Sequence, residues 1–219
     1  LETHRGGPHS VLMPGLVNAH AHLALGGLRH VADDLPFVDW ILKGLMPAIG
    51  AGMQQDGFFE AGALASANEL LSGGVTIVAD SFLRSEGVAA MRQVGLKGVF
   101  FQEVFGNAAP DDVTYLEKVG KDLDALDECL GDFPYGFSPH SPWTCPPAVF
   151  EAIAKRARME GRRLSFHLAE SGAEHAFLTR GQGLFAEMAR EREQLHRYDI
   201  GATPTAVLSD RCILGPDCI

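Results

Sequence analysis

Short apolar runs rich in β-branched residues alternate along this chain with longer stretches whose apolar positions recur every three or four residues. The first kind predicts buried strands and the second amphipathic helices. Strands are expected at residues 11–23, 75–80, 97–105, 135–140 and 164–169. Helices are expected at 39–49, 57–71, 86–94, 111–130, from Pro146-Pro147 to Gly161, and at 174–192. Gly73-Gly74, Gly95 and Gly161 stop three of these helices, and Gly181 and Gly183 break the last. Asp111 and Asp112 place negative charge at the start of their helix, where the dipole favours it. A sixth strand begins within 212–219.

No two-residue hairpin signal separates any pair of strands, so the strands are expected to be parallel. Five strand–helix units and the start of a sixth fit either a doubly wound sheet or a (β/α)8 TIM-type barrel. The barrel is preferred because residues of chemical interest end strands one, three, four and five. An open sheet would gather them at one switch point. A whole barrel needs about 250 residues. The 219 residues hold about five and a half units of one, and residues 11–219 are assigned to a partial barrel domain. Residues 1–10 form no element of their own and read as a remnant or linker.

Composition narrows the setting. A net charge of −10 argues against a nucleic-acid partner. No apolar run approaches the roughly 18 residues that span a bilayer, so no membrane partner is expected. Cys129, Cys145, Cys212 and Cys218 show no Cys-x-x-Cys spacing and read as reduced thiols of a cytoplasmic protein. The expected partner is a small-molecule substrate, with a homo-oligomer as a further expectation.

Three predicted strands end in histidine. His20 and His22 close the first, separated by one residue, so both leave an extended strand on the same side. His140 ends the fourth and His167 lies near the end of the fifth. Neutral imidazole is the commonest ligand for zinc and similar metals, and a buried strand end has little other use for paired imidazoles. Glu170 follows His167 by three residues and is either a proton carrier or a plain helix-start carboxylate. His140 either faces substrate or braces its Pro-rich turn. Glu103 ends strand three, where it meets substrate or an ion pair. Trp40 and Trp143 either line a pocket over a flat heterocycle or pack in the core. Asp80 reads as a structural acceptor at the end of strand two.

Four ordered segments together resemble the amidohydrolase superfamily, in particular its deaminase and chlorohydrolase branch. They are Met13 to Leu23 with its Asn18-Ala19-His20-Ala21-His22, Leu71 to Thr76 with Asp80, Ser138-Pro139-His140-Ser141-Pro142-Trp143-Thr144, and Phe166-His167-Leu168-Ala169-Glu170-Ser171. Gln102-Glu103-Val104-Phe105-Gly106 and Gly181-Gln182-Gly183-Leu184-Phe185 look most like members acting on aminated purine nucleosides, such as aminodeoxyfutalosine deaminases.

The resemblance implies that His20, His22 and His167 are metal ligands. It makes Glu170 the acid/base and His140 a substrate-facing catalytic group. It also implies a strand-six histidine, a strand-eight aspartate and a small β-sandwich, none of which these residues contain. Two-metal members carry a carboxylated lysine at the end of strand four. Here that place holds His140, which implies one divalent ion, zinc, with iron as the other candidate. The implied reaction is hydrolytic deamination of an amino-substituted heterocycle or nucleoside by metal-activated water. The alternatives are dechlorination or cyclic amide or urea hydrolysis on the same metal, or a catalytically incomplete, non-enzymatic fragment.

Overall fold

The computed structural model describes residues 7, 9–106 and 112–219. The remnant expected at 1–10 and the first residue of the helix expected at 111–130 therefore fall mostly or wholly outside the described residues. Four parallel strands, β1 (Leu16–Ala21), β2 (Val75–Phe82), β3 (Lys97–Val104) and β4 (Tyr135–Pro139), lie side by side in chain order. That order has no reversal, so it is singly wound like a barrel and unlike a doubly wound sheet.

A helical stretch links β1 to β2. It contains a turn of 3-10 helix at Leu23–Leu28, then α1 (Phe37–Asp39), a π-helical run Trp40–Leu45, α2 (Met46–Gly52) and α3 (Phe58–Ser72). α4 (Glu86–Val94) links β2 to β3. α5 (Asp112–Asp124) and α6 (Leu126–Leu130) link β3 to β4. α7 (Pro147–Met159), α8 (Gly172–Arg180), α9 (Leu184–Glu191) and α10 (Pro204–Asp210) follow. The core lies between the sheet and its helices, where Val78, Phe82, Phe100 and Phe137 meet Ala63, Met91, Phe150 and Ile153.

Several expected boundaries move. Residues 11–15 are not strand; Val11 and Leu12 are 87% and 100% exposed, and Pro14 has no N–H to give a ladder. The fifth strand, expected over 164–169, is reduced to one bridge at Leu164, which touches Phe137 on one side and Cys218 on the other. Its backbone still runs beside β4: Ser165 N donates to Phe137 O at 3.1 Å and His167 N to His140 O at 2.8 Å. The bridge at Cys218 is all that forms of the sixth. The helix expected at 174–192 starts two residues earlier, at Gly172, and is broken where expected, Gly181 and Gly183 taking φ of +60° and +83°. Among the described residues the arc does not close.

One irregularity positions the site. Val17 pairs with Ile77 and Asn18 with Val78, but Ala21 pairs with Asp80, so β1 takes three steps where β2 takes two. The extra residue flips the alternation. His20 and His22 would otherwise share the face of Val78, which is buried under the helices; the bulge turns them to the opposite, inner face. Asn18 Oδ1 accepts the His20 N–H there at 3.1 Å.

Candidate metal centre

His20 and His22 leave the C-terminal end of β1, and His167 leaves the segment beside β4. Their Nε2 atoms converge: His20 to His22 is 3.1 Å, His20 to His167 is 3.1 Å, and His22 to His167 is 3.3 Å. Two of the three rings are fixed from behind. His22 Nδ1–H donates to Ser81 O at 2.6 Å, and His167 Nδ1–H to His140 O at 3.2 Å. Those bonds leave Nε2 of both rings as bare lone pairs.

The donor set fits a cation. Two unprotonated nitrogens facing each other repel unless something positive lies between them. A tetrahedral ion about 2.0–2.1 Å from each nitrogen sets neighbouring ligands about 3.3 Å apart, which matches the spacing of these three. Burial, and then the neighbouring His167, holds His20 below its usual pKa and His22 at about 4. For His22, neutral imidazole, the ligand form, is therefore the resting state.

His140 sits against this cluster, its ring 4.6 Å from that of His167 and stacked on Phe105 at 4.3 Å. Thr144 Oγ1 donates to Ser141 O at 3.1 Å and so accepts from His140 Nδ1–H at 3.0 Å. That leaves His140 Nε2 as an acceptor. Burial and the three neighbouring histidines keep this ring uncharged. Glu103 ends β3 with its side chain 4% exposed and Oε1 3.7 Å from His22 Nδ1. Burial, with the Asp80 charge adding, pushes its carboxyl up to about 8, and its Oε1 has no hydrogen-bond partner. Glu103, His140 and His167 also lie within 4.8 Å of one another.

The remaining candidates lie further out. Glu170 is exposed, and its Oε1 accepts from Trp143 Nε1–H at 2.8 Å. Trp143 is 8% exposed and stacks flat on Phe185, ring centres 3.9 Å apart. Trp40 starts the π-helical run, and its Nε1–H goes to Val31 O at 3.0 Å. The carbonyls of Ser81 and His140 that orient the His22 and His167 rings are not legible in the sequence. The Thr144 hydroxyl that fixes His140 was not singled out there either. Every residue has a carbonyl, so no side-chain pattern marks the first two; Thr144, four residues after His140 in a Pro-rich turn, was visible as a hydrogen-bonding side chain.

Residues 11–210 match the amidohydrolase family. The chain belongs to that family. Among curated relatives, the 5-methylthioadenosine/S-adenosylhomocysteine deaminase of Symbiobacterium thermophilum is 29% identical over 214 residues, covering 95% of this chain and 45% of that protein. This amidohydrolase chain thus spans about half the length of the curated relatives it matches. The structure of an adenosine deaminase from Xanthomonas campestris with bound zinc is 26% identical, with a TM-score of 0.64 over 91% of this chain and 48% of that one. Triazine hydrolase from Arthrobacter aurescens is 20% identical with a TM-score of 0.70, covering 94% of this chain and 47% of that one; at this identity the likeness speaks for the fold. No helix among the described residues is long and apolar enough to cross a membrane.

Proposed function

We propose that the protein to which this chain belongs is a metal-dependent hydrolase that replaces the amino group of a purine-like nucleoside with oxygen. The observation that carries the reading is the meeting of three Nε2 atoms within 3.3 Å, two of them bare lone pairs because their other ring nitrogen is tied to a carbonyl. The relatives named as deaminases of 5-methylthioadenosine and S-adenosylhomocysteine point to the substrate class. The zinc in the Xanthomonas adenosine deaminase supports zinc as the one ion, iron being the alternative. The protein is assigned to the cytoplasm, with its four cysteines free, acting on a small molecule, and a homo-oligomer is the expected assembly.

His20, His22 and His167 hold the ion. Such an ion lowers the pKa of a water from 15.7 towards about 7. Glu170 takes one proton from the attacking water and gives it to the ring nitrogen; it then takes the second, from the hydroxyl now on the ring carbon, and gives it to the departing amine, so that water and the aminated ring become ammonia and an oxo ring with its ring nitrogen protonated. His140 presents Nε2 as an acceptor to the substrate, Glu103 flanks it from β3, and Trp40 and Trp143 border the side where a flat ring enters.

Ammonia release from adenosine, 5-methylthioadenosine and S-adenosylhomocysteine tests this in the full-length zinc-loaded protein. Glu170→Gln is expected to keep the metal and lose at least ~10²-fold in kcat. Chloride release from chlorotriazines with no ammonia from nucleosides would move the reading to a chlorohydrolase. Unchanged turnover of Glu170→Gln would make Glu170 a helix-start carboxylate.

A further inference from the structure

We propose that Trp143 is a positioning residue that mounts the Glu170 carboxylate through its indole N–H, beyond any role as a surface for the substrate ring. The proposal rests on the acid/base reading of Glu170.

Glu170 needs a mount. It is exposed, it lies outside regular structure, and it follows Ala169, which takes φ of +56°. A carboxylate on such a turn has several rotamers, and a proton carrier works only from one. Two contacts restrict it. The start of α8 holds the backbone: Ser171 Oγ accepts Glu174 N–H at 3.1 Å, and Glu174 Oε2 accepts Glu170 N–H at 2.8 Å. Trp143 holds the side chain, donating Nε1–H to Oε1 at 2.8 Å.

The indole is itself rigid. Its ring lies parallel to Phe185, 3° apart, and Tyr198 O–H donates to the Trp143 carbonyl at 3.3 Å. Phe177, Leu178, Ala186 and Ala189 complete the buried cluster around it. Two covalent turns thus link the acid to the histidines: three residues from His167 on one side, and from Trp143 three residues back to His140, whose ring centre is 6.2 Å from the indole. An N–H donated to a carboxylate is stronger and more directional than one between neutral groups. Indole carries only a donor, so this contact can fix an ionised carboxylate and cannot swap roles with it.

The test uses the full-length zinc-loaded protein. In wild type, the Trp143 indole N–H proton resonance is expected downfield of that of Trp40, whose N–H meets the neutral Val31 carbonyl. Glu170→Gln is expected to move it upfield and leave Trp40 in place. Trp143→Phe keeps the stack on Phe185 and removes the donor; it is expected to lower kcat about 10- to 100-fold, the scale of a misplaced reacting group, with KM within about twofold. A Trp143 resonance indifferent to Glu170→Gln overturns the proposal, as does a raised KM at unchanged kcat, which is the signature of a substrate platform. Unchanged kcat in Glu170→Gln with the resonance still shifted would instead overturn the acid/base reading and leave the indole–carboxylate bond standing.

Discussion

The neighbours of His22 set its ring up to serve as a ligand. Ser81 O takes the proton-bearing nitrogen, burial strips the ring of charge, and the bulge in β1 aims the other nitrogen inward. The imidazole was legible in the sequence from its spacing to His20 and its place after an apolar run. Its tautomer was not, because a carbonyl has no sequence signature. Asp80 shows the same division. Its place at the end of β2 marked it as an acceptor, and its Oδ1 accepts Leu23 N–H at 2.8 Å. Only the packing reveals how deep it lies: burial pushes its carboxyl up to about 7, the Leu23 N–H opposing and the Glu86 charge adding. A carboxyl raised above its unfolded value stabilises the fold fully at low pH and loses that contribution as pH rises through the folded value. Above about pH 6.5, histidines of the unfolded chain are largely neutral, so the carboxyls dominate. The unfolding free energy of metal-free protein, from urea melts, is therefore expected to fall between about pH 6.5 and 8, and Asp80→Asn to flatten that fall.

At the level of elements, β2, β3 and β4 were readable because each is a short apolar run closed by a glycine, proline or charged residue. The fifth strand was not, since Leu164-Ser165-Phe166-His167 carries a strand pattern but pairs regularly with nothing on its outer side beyond Cys218. α10 went unread although Thr203 and Pro204 mark its start; Thr203 Oγ1 accepts Ala206 N–H at 3.2 Å. The bulge in β1 was invisible, because an extra residue leaves no trace in an alternation only six residues long. Among the described residues, its side-chain brace is Asn18. Asn18→Ala is expected to weaken zinc binding about 10- to 100-fold, the cost usual for losing a group that orients ligands, as read by competition with a chromophoric chelator. The cap of α8 makes a separate prediction. Ser171→Ala is expected to lower unfolding free energy by about 1 kcal/mol and to reduce kcat, since the same turn carries Glu170.

On the scale of the whole molecule, the barrel arc was legible from the alternation of elements, and its sequential strand order agrees. The inner face near the N-terminal ends of the strands is left open as a trough of about 780 Å³ whose lining includes Val17, Ala19, Ile77, Val99 and Phe133. Val17 is 62% and Ile77 45% exposed, and among the described residues β1 pairs only with β2. Apolar face and unpaired edge together favour association. The 219-residue chain by itself is expected to elute above monomer size on gel filtration, and Val17→Lys with Ile77→Lys to shift it towards monomer. The three histidines lie at the other end of the strands, where their Nε2 atoms are set to hold an ion. Zinc content and affinity, measured on wild type and on His167→Ala, test this most directly. One zinc per wild-type chain is expected, with an affinity at least ~10²-fold weaker once His167, one of the three nitrogen donors, is gone. Equal zinc content and affinity in the two proteins would contradict this.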